Sequence, residues 1–194
     1  MKSLVKWFFG KKEAGKAEII GGMLFLSFLI LMLAVHLQLR IFYTVSFFME
    51  DALAASNLAS IVIDIEEYGI SHILKISAPE VSYEIYKEAL KMNLQIGADW
   101  ESGQKNLISG KVEIQQYCIY NVLENDVEVY YFGGEGSGSY YIANGLGTVK
   151  TPDGTLIEST SVYSRIGFPV TGILGVEVYA VKENSVDVVS NVAE

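Results

Sequence analysis

The sequence has one cysteine, Cys118, two histidines and three prolines in 194 residues. A lone cysteine excludes any disulfide within the chain. It stands in the alternating stretch Val112 to Tyr120, where a small buried apolar filler is expected. His36 and His72 are far apart, and His36 lies in an apolar run, so neither a Ser-His-Asp nor a Cys-His set is credible. Metal spacing is equally poor: there is no His-x-x-x-His and no Asp-x-Asp calcium pattern. No pair of carboxylates stands out for glycoside chemistry. The reading is a protein that is not an enzyme and has no cofactor or metal.

Charge is also scarce, at 19% of residues against about 25% in soluble domains. It is unevenly placed. Lys2, Lys6, Lys11, Lys12 and Lys16 outnumber Glu13 and Glu18 before the apolar run. From residue 41 onward 21 acidic side chains face 8 basic ones. So acidic a surface repels phosphates, which excludes nucleic acid as a partner of the larger part.

What the chain does have is one long apolar run. Residues 19–39 contain no charged side chain. About 20 such residues span a bilayer as a helix. A signal peptide normally has a shorter apolar region and a small-residue cleavage site. Here the run ends in Leu37-Gln38-Leu39-Arg40. The expectation is a retained single-pass anchor in the lipid bilayer of the cell membrane. The lysines place residues 1–18 in the cytoplasm as a basic tail or leader, and the remainder outside.

The helix is expected to continue outside the membrane over residues 40–76, a stretch without proline and with Gly69 as its one glycine. Phe42, Val45, Met49, Ala52, Ser56, Ala59 and Ile63 recur at helical spacing, and residues 66–69 mark the expected end. Residues 77–194 then form an α+β domain. Pro79 opens a short helix over about 80–94. Period-two alternation follows: Val112 to Tyr120, then Val127 to Tyr131, Tyr140 to Val149, Thr155 to Phe168, and Val176 to Val189 as one or two strands. Short turns between them predict an antiparallel sheet packed on the helix. The glycine-rich segment Gly133 to Gly138 lacks the Lys-Ser/Thr pair and following helix of a phosphate loop, and reads as a hairpin tip. Tyr130, Tyr131, Tyr140, Tyr141, Tyr163 and Tyr179 fall in the expected strands. They serve either as packing residues or as a contact surface.

The entry to the apolar helix is the sharpest local feature. Lys11-Lys12-Glu13-Ala14-Gly15-Lys16-Ala17-Glu18 sets a carboxylate at the edge of the run. Glu18 reads either as a first-turn acid favoured by the helix dipole or as a group seeking a partner. Gly21, Gly22 and Ala34 allow close helix approach.

This arrangement is similar to the N-terminus of type IV pilin-like proteins. The chain more closely resembles the TadE-like minor pilins of the tight-adherence (Flp) pilus system. The alanine-containing stretch Glu50 to Ser56 and the late segment Val162 to Gly175, with Pro169 at an expected bend, fit the same order of parts. The resemblance implies a processing site between Gly15 and Lys16, and helix assembly through Glu18, Gly21, Gly22 and Ala34. It implies other pilin-like membrane subunits as partners. One departure is the spacing: the family sets its glutamate five residues after the cut, whereas Glu18 is third after Gly15. The alternative reading is a membrane-tethered extracellular binding module with no assembly role.

Overall fold

The computed structural model describes residues 14–102, 108–134, 136–172 and 175–188. Two compact units divide the chain, Met1–Phe42 and Tyr43–Glu194. One helix, α1 (Ala14–Ser60), supplies residues to both. Its 47 residues correspond to about 70 Å of helix at 1.5 Å per residue.

The helix does not run to residue 76. It stops at Ser60, where Ile61-Val62-Ile63 begins. β-Branched side chains crowd the preceding helical turn, and Ile63 instead bridges Ile76 as extended chain. Asp64 then caps a separate seven-residue helix, α2 (Ile65–Ser71), accepting from the Glu67 N–H at 2.9 Å. His72 closes α2 in the left-handed region at φ +58°. The expected short helix is present as α3 (Pro79–Leu94), with Pro79 in its first turn and Gln95 as a left-handed cap.

Five antiparallel strands follow: β1 (Glu113–Leu123), β2 (Asp126–Gly133), β3 (Gly136–Ile142), β4 (Ser161–Thr171) and β5 (Glu177–Asp187). Their order is β3-β2-β1-β4-β5. Tight hairpins join β1 to β2 and β2 to β3. Gly133 pairs with Gly136, so Gly136 and Gly138 belong to a strand and the tip is shorter than the sequence implied. The region expected as a strand up to Val149 is half turn: the chain leaves β3 at Ile142 and folds back through Asn144, Gly145 and Gly147. The fourth strand starts at Ser161, not Thr155. Residues 143–160 therefore form a long connection from the β3 edge to β4.

Pro169 stands inside β4 rather than at a bend, paired with Tyr179 of β5. The β1 ladder has already ended at Glu113–Gly167, so the missing N–H costs no ladder bond. The Pro169 carbonyl accepts instead from the Ser109 N–H at 3.1 Å. The turn between β4 and β5 comes later, where Gly172 accepts from Gly175.

Strand alternation gives the sheet two different faces. One is covered by helix. Val45, Met49, Leu53, Ser56 and Ser60 of α1 are buried, as are Ser82, Tyr86, Leu90 and Leu94 of α3. Ala59, expected in the buried stripe, is exposed. Tyr86 stacks against Tyr117 of β1 with ring centroids 4.6 Å apart, and Tyr83 against Phe132 of β2 at 4.8 Å. A buried polar network joins the same elements. The Tyr117 hydroxyl donates to Ser60 Oγ at 2.8 Å and meets Ser82 Oγ at 2.7 Å, and Ser82 Oγ donates to the Ser60 carbonyl at 2.6 Å. Buried hydroxyls without such partners cost about 1–3 kcal/mol each, so this network fixes where the end of α1 seats.

The other face carries a second, smaller core. Cys118, Tyr120, Val127, Val129 and Tyr163 pack there under Ile157 from the 143–160 connection. Beyond that cover the face is open.

Candidate functional site

Two surfaces are exposed in ways that ordinary folding does not explain. The first is the early part of α1. Every large apolar side chain from Ile19 to Leu39 is exposed, Leu24 and Phe25 by 67% and 64%. Each such side chain left in water forgoes about 1.5–3 kcal/mol of burial. Among the described residues this is the one helix long and apolar enough to cross a bilayer, with a window of mean hydropathy 2.4 and none of it buried.

The predicted assembly residues all fall on this helix. Gly15 and Lys16, the candidate processing site, have helical backbone, and the residues before Ala14 lie outside the described residues. The lysines at positions 2, 6, 11 and 12 lie outside the described residues. Glu18 stands in α1 and is exposed. Gly21 and Gly22 have open space where a side chain would stand. At 100° per residue Gly22 lies about 40° from Glu18 and Gly21 about 60° on the other side, whereas Ala34 lies about 160° away. Ala34 therefore belongs to a different face, and a single neighbour cannot use all four positions at once.

The second surface is the uncovered part of the sheet. Strand alternation sets Tyr131, Tyr140, Arg165, Gly167 and Tyr179 on it. All six tyrosines expected in strands are in strands. They do not serve alike. Tyr163 is buried, and its hydroxyl donates to Glu183 Oε2 at 2.7 Å. Tyr131, Tyr140, Tyr141 and Tyr179 are exposed. Tyr141 donates to Asp126, and its hydrogen bond holds the Asp126 carboxyl below its ordinary range. Tyr179 donates to Glu113 Oε2 at 2.8 Å.

Two glycines explain why these rings lie flat. A side chain at Gly138 would meet the Tyr131 hydroxyl and ring, and one at Gly167 would meet the Tyr179 hydroxyl. In each case a tyrosine covers a bare stretch of a neighbouring strand, a device that offsets the weakness of glycine in sheets.

β1 is irregular here. Its register against β4 slips between Ile114 and Gln116, leaving Gln115 as an extra residue. The Gln115 carbonyl accepts the Gly134 N–H at 3.3 Å and so ties the bulge to the β2–β3 turn. Bulge and turn together frame a pocket of about 720 Å³, lined by Gln115, Gln116, Tyr131, Phe132 and Arg165 with the turn glycines. Sequence reasoning passed over Gln115, Gln116 and Arg165. They are brought together only by a register slip, and no motif encodes that.

Cys118 lies in the smaller core, 2% exposed, and burial raises its thiol pKa. A thiol held neutral is a poor nucleophile. Among the described residues no group of three His, Cys, Asp or Glu side chains is placed to hold a metal ion. No family model, characterised protein or solved structure matches the chain.

Proposed function

We propose that this chain is a membrane-anchored structural subunit, similar to a minor pilin, that joins an assembly through its apolar helix and presents an acidic α+β domain outside the membrane. One observation carries the reading. A single helical element provides both an apolar surface that is uncovered among the described residues and, further along, the buried stripe that anchors the β domain. The lysines before the span and the acidic surplus after it support a cytoplasmic N-terminus.

Glu18 with Gly21 and Gly22 forms the face on which a neighbouring helix packs. In a bilayer such packing rests on close backbone approach and on pairing polar groups, because the lipid removes any hydrophobic drive between helices. A carboxylate in this setting is costly unless a neighbour offers a positive group. Ala34 contributes to a separate contact or to none.

The test is Glu18→Ala, read by co-purification of membrane partners and by the intact mass of the native protein. Loss of partners with the chain still in the membrane supports assembly, and a mature chain beginning at or near Lys16 adds prepilin-type processing. Unchanged partners leave assembly without support. The second reading, a tethered binding module, is favoured by the open pocket beside Arg165.

A further inference from the structure

Most cations with acidic neighbours in this domain are closely matched. Lys75 meets Glu128 at 3.3 Å, Lys87 meets Glu84 at 2.7 Å, Lys91 meets Glu88 at 3.1 Å, and Lys182 meets Glu50 at 2.8 Å. Arg165 differs. Its Nε comes no nearer than 4.0 Å to Glu183 Oε2, too far for a hydrogen bond. That oxygen already accepts from Tyr163. Arg165 Nε is shielded from solvent and has no hydrogen-bond partner, yet the side chain as a whole is 41% exposed and lines the pocket. With Nε shielded, only the exposed part of the side chain can meet a ligand in the pocket, and the paired N–H groups of a guanidinium suit a carboxylate gripped by two parallel hydrogen bonds.

The rest of the pocket narrows the ligand. Gln115 and Gln116 bring amide groups that both donate and accept, as hydroxyl-rich ligands require. Tyr131 lies across Gly138, with its ring centroid 6.3 Å from that of Tyr140, and the residue stays 36% exposed. A flat ring with a polar tip stacks on an apolar ligand face while its hydroxyl stays wet. The site lies on a sheet face rather than along a strand edge, so it offers no ladder to an extended peptide.

We propose that this pocket binds an acidic saccharide, with Arg165 holding a sugar carboxylate and the Tyr131 ring stacking beneath the sugar. The pocket is built from residues of the larger unit alone, so it does not rest on helix assembly through Glu18. The experiment titrates the full chain in detergent micelles with tetragalacturonate, with its methyl ester and with a tetrapeptide bearing a free C-terminus, by calorimetry. Binding of the acid but not of the ester is expected. Arg165→Gln should weaken it by about tenfold or more, the loss of one charge-assisted pair. Arg165→Lys should recover only part, because an ammonium lacks the fork. Glu183→Gln removes the competing carboxylate and should tighten binding, a gain that misfolding cannot imitate. No binding of the acid, equal binding of the ester, or binding indifferent to Arg165→Gln overturns the proposal. Binding of the peptide in place of tetragalacturonate also overturns it, in favour of a peptide site.

Discussion

Within one helix, residues 19–39 and residues 45–60 solve the same problem in opposite ways. Both segments are rich in apolar side chains. The first distributes them all round the helix and leaves them exposed. The second confines its buried residues to a stripe of Val45, Met49, Ala52, Leu53, Ser56, Asn57 and Ser60, four of which are apolar and two hydroxyl-bearing. An all-round apolar helix is at home among apolar neighbours on every side, and a striped one against a single packed face. The hydroxyls sharpen the contrast: they are tolerable in the stripe because Tyr117 donates to Ser60 Oγ and Asn93 to Ser56 Oγ, while each hydroxyl donates to a carbonyl of its own helix.

The contrast can be broken from the domain side first. Tyr117→Ala removes a fully buried ring and strips Ser60 and Ser82 of a shared partner. A loss of about 3–5 kcal/mol is expected, read by denaturant unfolding of the full chain in micelles. The membrane segment should keep its helicity throughout.

From the other side, Leu29→Lys sets a charge in the middle of the apolar run. Insertion should cost about 2.5–3.5 kcal/mol, read as loss of the chain from the membrane fraction. The unfolding midpoint of the acidic domain should not move. A shift in that midpoint would mean the two segments are not energetically separate.

A smaller effect comes from pH. Burial pushes the Tyr117 phenol up to about 12 from an ordinary value of 10.0. A group whose pKa is raised in the folded state favours folding fully below its unfolded pKa and loses that contribution as pH rises to the folded one. The Tyr117 contribution to stability should therefore hold up to about pH 10 and fall by up to about 2–3 kcal/mol toward pH 12. Tyr117→Phe should make the alkaline slope shallower by that amount, the buried Tyr86 and Tyr163 being raised as well, while the helicity of residues 19–39, which hold no tyrosine, should show no such slope.

Much of this was legible in the sequence, for a physical reason. Uniform apolarity and period-two alternation are local signals, so the long apolar helix, α3 and the strands around Val112, Val127 and Val176 could be read directly. Tertiary choices could not. Val149, Thr155 and Ile157 alternate as a strand would, yet Val149 and Ile157 serve a connection laid over the sheet. Ser60 ends α1 because Ile61-Val62-Ile63 prefers extended chain and Asp64 can start a new helix, a competition that alanine-rich spacing upstream concealed. Pro169 looked like a bend because its tolerance inside β4 depends on where β1 stops. The Arg165 pocket was invisible for the same kind of reason: it exists only through the Gln115 bulge.

The most direct measurement is cysteine accessibility along α1 in native membranes, with Cys118 buried and silent as the background. Leu29→Cys and Ala55→Cys are labelled from outside with a membrane-impermeant maleimide. Reaction at position 55 and none at position 29 is predicted. Equal labelling at both positions, or a chain recovered in the soluble fraction, would contradict the anchored helix.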